Sequence, residues 1–246
     1  MDLSPLALAY CVVVLLVAYG LRGSTGFGGA AGMPLLALVI PLKTLIPAWT
    51  LMAIASSIAI LGRERREVTF RAVVPLLPWC LVGIAIGLYF FTALDSRSLA
   101  RGLGCVILAY AAYSAWGMMR PASTGRLPHR IVTPVSGLLA GVVGTLFGTL
   151  STLFFAMYMD SCRLAKGPFR ATMSALLLTL GIVRGAGYWF VGEFTREALL
   201  LCAAMLPVML VGVFIGNRVH LALSDRGFKW MVIATLVISG IPLLFS

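Results

Sequence analysis

The stretch Leu77-Pro78-Trp79-Cys80-Leu81-Val82-Gly83-Ile84-Ala85-Ile86-Gly87 recurs later in the chain as Leu206-Pro207-Val208-Met209-Leu210-Val211-Gly212-Val213-Phe214-Ile215-Gly216. Neither copy holds a charge. They match without a gap at Leu-Pro, Leu-Val-Gly and Ile-Gly, and the same frame lays Leu94 over Leu223 and Arg97 over Arg226. Each copy lies inside an apolar run of about twenty residues, the length that crosses a hydrocarbon layer as a helix. Paired Pro, paired Gly-x-x-x-Gly and paired Arg in one register point to an internal duplication, and duplicated membrane halves are typical of secondary transporters.

The rest of the chain agrees with a membrane setting. It has 246 residues, of which 61% are hydrophobic and 11% charged. Soluble domains carry roughly 25% charged residues, so a water-facing surface cannot be built from this composition. Apolar runs recur from end to end, which leaves room for about eight to ten spans or part-spans and none for a soluble domain. Asp2 is the only charge before Arg22 and no small-residue cleavage site is evident, so the first run is expected to remain in the protein. The formal charge of +11 comes from small basic groups between apolar runs. That is the pattern of positive loops facing the cytoplasm, and nucleic acid is not expected as a partner. The five cysteines are scattered without metal spacing, so neither a metal nor a cofactor is expected.

Apolar segments fall near 4–21, 28–41, 45–62, 70–91 and 98–117, then near 132–146, 148–160, 171–191, 196–217 and 228–245. The expected fold is an all-α polytopic membrane protein of two inverted repeats, 1–118 and 131–246, joined by a linker at 119–130. Upstream of the opening match the register shifts, laying Lys43 over Lys166 and Gly23-x-x-Gly26 over Gly141-x-x-Gly144. The basic loop Arg63-Glu64-Arg65-Arg66 is expected in the cytoplasm. Keeping Arg163, Lys166, Arg218, Arg226 and Lys229 there as well requires 132–160 to enter and leave on one side as a hairpin. Its segments, 132–146 and 148–160, look too short for full spans. If 4–41 behaves likewise, each half is a hairpin plus three crossings, and Ser246 lies outside.

Each hairpin turns at small and hydroxylated residues, Gly23-Ser24-Thr25-Gly26-Phe27-Gly28-Gly29 and Gly144-Thr145-Leu146-Phe147-Gly148-Thr149. Close helix packing accounts for Gly83-x-x-x-Gly87 and Gly212-x-x-x-Gly216. At the hairpin turns a second role competes with packing, because broken helices expose backbone donors to an anion within the membrane. All eight acids and both histidines fall in loops or at segment ends, whereas Arg22 adjoins the first Gly-rich turn and Arg184 interrupts an apolar run. An arginine at the centre of a bilayer costs about 2.5–3.5 kcal/mol on insertion scales and usually faces a polar cavity. The alternative for Arg184 is a side chain that snorkels to an interface. The expected anion-binding residues are Arg22, Ser24, Thr25, Gly28, Thr145, Thr149, Arg170 and Arg184. Arg170 sits at a helix start, where a positive-inside anchor is the competing reading.

These features, together with Met33-Pro34-Leu35-Leu36, Pro47-Ala48-Trp49-Thr50, Phe169-Arg170-Ala171-Thr172-Met173-Ser174 and Gly212-Val213-Phe214-Ile215-Gly216-Asn217, resemble the sulfite exporter TauE/SafE family of bacterial membrane proteins. The duplicated layout covers nearly the whole chain. The second hairpin departs from the family's frequent Gly-Gly and Pro pattern with Gly148-Thr149-Leu150-Ser151-Thr152, so the two hairpins need not do equivalent work. The resemblance implies a multi-pass protein of the bacterial inner membrane that exports sulfite, sulfonates, sulfoacetate-like or related small anions. Its partners would be that anion and the bilayer, with a second copy of the chain left open. Two rival classes remain at this point. A passive anion channel would use the same arginines, and a lipid-modifying enzyme would need an acid/base or metal cluster near an apolar midpoint, which the sequence lacks.

Overall fold

Hydrocarbon offers no water to backbone N–H and C=O groups, so a lipid-facing segment must close its own hydrogen bonds. The computed structural model describes residues 4–25, 29–119, 129–162, 164, 166–218 and 225–245, and these contain helices and turns with no strand. In chain order the helices are α1 (Pro5–Thr25), α2 (Gly29–Leu36), α3 (Leu42–Glu64), α4 (Phe70–Val73), α5 (Leu77–Ala93), α6 (Ser96–Met119), α7 (His129–Phe147), α8 (Ser151–Ser161), α9 (Lys166–Phe190), α10 (Arg196–Arg218) and α11 (Asp225–Phe245). A short 3-10 turn, Val74–Leu76, joins α4 to α5. Among the described residues, seven stretches are long and apolar enough to cross a membrane. The protein is a polytopic all-α membrane protein. Large apolar side chains such as Leu6, Tyr89, Phe190 and Ile238 stand exposed around its perimeter, as lipid contact requires.

The shortness expected of 132–146 is corrected by the structure. Helix α7 starts at His129, and Arg130–Phe147 is long enough to cross. At about 1.5 Å per residue its 19 residues reach about 28 Å, while the 11 residues of α8 reach about 16 Å. Pro134 sits inside α7, where an apolar environment tolerates it.

The chain nevertheless doubles back. The Ser151 hydroxyl donates to the Ala140 carbonyl at 3.0 Å, laying α8 along α7, and Tyr158 and Met159 return to a cluster with Ala72, Val73 and Leu76. Likewise the Tyr10 hydroxyl donates to the Leu35 carbonyl at 3.1 Å, so α2 turns back along α1. Helix α1 runs alongside α10 in the same direction: Leu8 and Cys11 share a crevice with Glu197 and Leu201, and Gly20 meets Gly216. Helix α7 follows α5 in the same way, with Gly137 at Trp79, Gly141 at Gly83 and Thr145 at Gly87.

Two contacts mark the opposite ends of the molecule. At one, Lys43 pairs with Glu193 at 3.5 Å and its Nζ donates to the Thr92 carbonyl at 3.4 Å. At the other, Glu67 lies against Gly167. The first hairpin enters from the Lys43–Glu193 end and the second from the Glu67–Gly167 end. The turn of the second hairpin, at Gly148, meets Met33 of α2 and Ile46 of α3.

The duplicated glycines are the points of closest approach. A Cβ at Gly83 would stand 2.9 Å from the Gly141 Cα, and one at Gly216 would stand 2.9 Å from the Gly20 Cα. Side chains there would force α5 from α7 and α10 from α1. The hairpins align Thr25 with Phe147 as helix ends and Gly29 with Ser151 as helix starts. That register lies one turn away from the pairing of Gly23 with Gly141 read from the sequence, because small residues recur through both turns and fit several frames.

Candidate functional site

Helix α3 is the spine of the site. Ala53 is its midpoint residue, Arg22 bonds to α3 around that level, and the backbone next to Arg184 packs against it there. The Arg22 side chain, in the last turn of α1, donates through Nη2 to Ser57 Oγ at 2.9 Å and toward the Ala53 carbonyl at 3.4 Å. Arg184 comes from α9, whose neighbouring residue Gly185 faces Thr50 and Ile54 of α3. Its Nη1 donates to the Gly144 carbonyl near the end of α7. At about 1.5 Å per residue, Ile54 and Ser57 differ in height by only about 4.5 Å, so both guanidinium groups occupy one layer.

Burial decides between a cavity and a snorkelling side chain. Arg22 is 5% exposed and Arg184 9% exposed, and they are the only charged side chains in the buried set of described residues. Neither reaches an interface. No described carboxylate is buried with them, and the one ion pair among described residues, Lys43–Glu193, lies at the end of the molecule. Arg184 contributes to the electrostatic field at Arg22, and both act on the Tyr19 hydroxyl. Burying an ion without a counter-ion costs several kcal/mol even after relaxation, which an anionic ligand would offset.

Several buried donors among the described residues lack an acceptor, and of these Thr145 lines a cavity with Arg184 and Tyr19 lies under Arg22. Arg184 Nε, Thr145 Oγ1, Thr152 Oγ1 and the Tyr19 hydroxyl are buried with no hydrogen-bond partner. Buried polar atoms are normally hydrogen-bonded, so these groups are available to the oxygens of a ligand. Arg184, Thr145 and Ser151 line a cavity of ≈ 10 Å³. That is about enough for one water, so this conformation is closed around the layer.

Tyr188 holds the second hairpin in place. Its hydroxyl donates to the Thr145 carbonyl, and its ring packs on Phe91 at 5.0 Å between centroids. Lys43 stands 5.5 Å over the Phe91 ring and pairs with Glu193, so an ion pair covers an aromatic plug on the Lys43–Glu193 side. Tyr19 packs against Trp49 at 5.1 Å beneath Arg22. The α7 helix breaks at Gly148, whose φ of 73° suits a residue without Cβ and lets the chain reverse into α8.

Of the residues expected to bind the anion, Arg22, Arg184 and Thr145 come together in this layer, and Thr149 is buried at the turn of the second hairpin. Ser24 and Thr25 close α1 next to Arg22, and Arg170 is the fifth residue of α9, but their side chains lie outside the described set. Gly28 lies outside the described residues altogether. Sequence reasoning missed Tyr19, Ser57, Thr152 and Tyr188. A signal for the two tyrosines was available: Tyr19 precedes Arg22 by three residues and Tyr188 follows Arg184 by four, spacings that share a helix face. Ser57 carried no such mark, since only the packing of α1 on α3 selects it. Among the described residues no cluster of His, Cys, Asp and Glu could hold a metal.

Comparison with known proteins adds the following. Residues 11–243 match the family described as sulfite exporter TauE/SafE. A probable inner membrane transporter protein, TsaS of Comamonas testosteroni, is 26% identical over 185 residues, spanning 74% of this chain and 75% of that protein. No solved structure matches.

Proposed function

The chain belongs to the sulfite exporter TauE/SafE family, and we propose that it is a secondary transporter that exports small organic anions of the sulfite, sulfonate or sulfoacetate type across the bacterial inner membrane. The observation that carries this reading is the layer of two buried arginines with no buried carboxylate among the described residues, one from the last turn of α1 and bonded to the middle of α3, the other bonded to the end of α7. Fixed cations in a low-dielectric layer attract an anion and reject cations. Thr145 and Tyr19 can donate to its oxygens without adding charge, which keeps release feasible. The relative's name supports placement in the inner membrane.

The packing also supports inverted repeats over 1–118 and 131–246. Exchange α1 with α7, α2 with α8, α3 with α9, α5 with α10 and α6 with α11, and the principal pairings map onto one another. Thus α5 on α7 becomes α10 on α1, while α3 on α9 and α6 on α11 map onto themselves. Such symmetry lets a transporter present one site to either face. The closed cavity and the Phe91–Tyr188 plug favour a carrier over a passive channel, which needs a continuous water path. In proteoliposomes, external unlabelled anion should accelerate efflux of labelled sulfite, the counterflow that a pore does not give. Arg22→Ala and Arg184→Ala should each abolish it. Wild-type rates from both variants would place the binding site elsewhere.

A further inference from the structure

Among the described residues, no buried carboxylate accompanies the two positive charges of the layer. Arginine stays protonated under any condition a protein tolerates, so the charges are fixed. Their protein acceptors, the Gly144 and Ala53 carbonyls and Ser57 Oγ, are neutral. Helix ends do not alter the balance. The negative C-terminal ends of α1 and α7 lie beside the positive N-terminal ends of α2 and α8 at each hairpin turn, and opposed ends of similar partial charge offset each other. Tyr19, which both arginines act upon, is a neutral donor. A singly charged ligand would therefore leave one guanidinium buried and uncompensated.

We infer that the site selects dianions over monoanions, with Arg22 and Arg184 each opposing one negative charge, so that its ligands are carboxylate-sulfonates or fully deprotonated divalent oxyanions. This rests on the transporter reading and narrows it. The position of the two cations fits such a ligand. They come from different helices, α1 and α9, and are held by different neighbours, Arg22 by α3 and Arg184 by α7, so they suit two anionic groups or two edges of one oxyanion. Arg184 Nε remains free for the fork geometry that carboxylates and sulfonates accept.

The test compares two ligands of similar size by calorimetric titration of the full chain in detergent. Sulfoacetate carries two charges at neutral pH, and 2-hydroxyethanesulfonate carries one. The wild type should bind sulfoacetate at least about tenfold more tightly, the difference expected from one charge-assisted contact. Arg22→Gln and Arg184→Gln, checked for monodispersity, should each lose that preference and bind 2-hydroxyethanesulfonate as well as or better than sulfoacetate. Either variant suffices if the other fails to fold. Equal wild-type affinities would overturn the dianion inference while leaving an anion site at the arginines. A preference retained in both variants would show that charge count does not select the ligand, and would overturn it also. Failure of the wild type to bind either compound, or any sulfite in the same titration, would overturn both this inference and the proposed function.

Discussion

At the scale of single residues, Arg22 and Arg184 were legible as charges out of place in apolar runs, but their partners were not. A guanidinium that donates to a backbone carbonyl, as Arg184 does to Gly144, leaves no mark in the sequence of the acceptor. The same distinction separates structural from ligand-binding roles. The Thr145 hydroxyl has no protein partner, so Thr145→Val removes no hydrogen bond and should leave thermal stability within about 0.5 kcal/mol of the parent. It should nevertheless weaken anion binding severalfold in a titration. Loss of stability with unchanged affinity would reverse the assignment. Tyr188→Phe should behave differently, because it strips the Thr145 carbonyl of a donor. It should lower stability by about 1–3 kcal/mol in a denaturation measurement. Arg184→Lys should impair transport despite conserving charge, since a lysine cannot reproduce the guanidinium fork. Arg66→Lys, on the exposed turn after α3, should be silent in the same vesicle assay.

At the scale of elements, the apolar runs predicted all the long helices because the bilayer permits little else. Lengths were less legible. Helix α7 extends through His129 and Arg130, whose polarity ended the apolar run too early, since a helix can continue beyond the hydrocarbon. Registers between the hairpins were ambiguous because small residues repeat, whereas the Gly-x-x-x-Gly pairs, read as close packing, do sit at close contacts, whose partner helices α7 and α1 only the structure supplies. Gly141→Leu should therefore cost at least about 1–3 kcal/mol by overpacking α5 against α7, measured by thermal unfolding in detergent, while Gly62→Ala, in open space, should cost little. At the α5–α6 turn, the Ser98 hydroxyl holds the exposed Asp95 carboxyl below its ordinary range, so this group stays ionised at neutral pH next to the start of α6. The Lys43–Glu193 pair is partly exposed, and such pairs contribute about 1 kcal/mol or less. Glu193→Gln should thus barely change stability. It should loosen the cover over Phe91 and raise the rate at which a thiol reagent reaches a cysteine placed at Tyr188.

At the scale of the whole molecule, the membrane class follows from composition, and the family from motifs spread through both halves. What composition could not supply was the meeting of the two hairpins, because that depends on which face each one enters. The contacts of α1 with α10 and of α7 with α5 place those entries at opposite ends, and the two arginines are held by the middle of α3 and the end of α7. An anion held there by Arg22 and Arg184 is the central claim, and anomalous scattering locates it most directly. In crystals of the protein grown with selenite, which lets the anion bind before the lattice forms, the selenium peak should lie between the two guanidinium groups, near the level of Ala53. A peak only at exposed cations such as Arg97 or Arg101, with the arginine layer empty, would contradict the account.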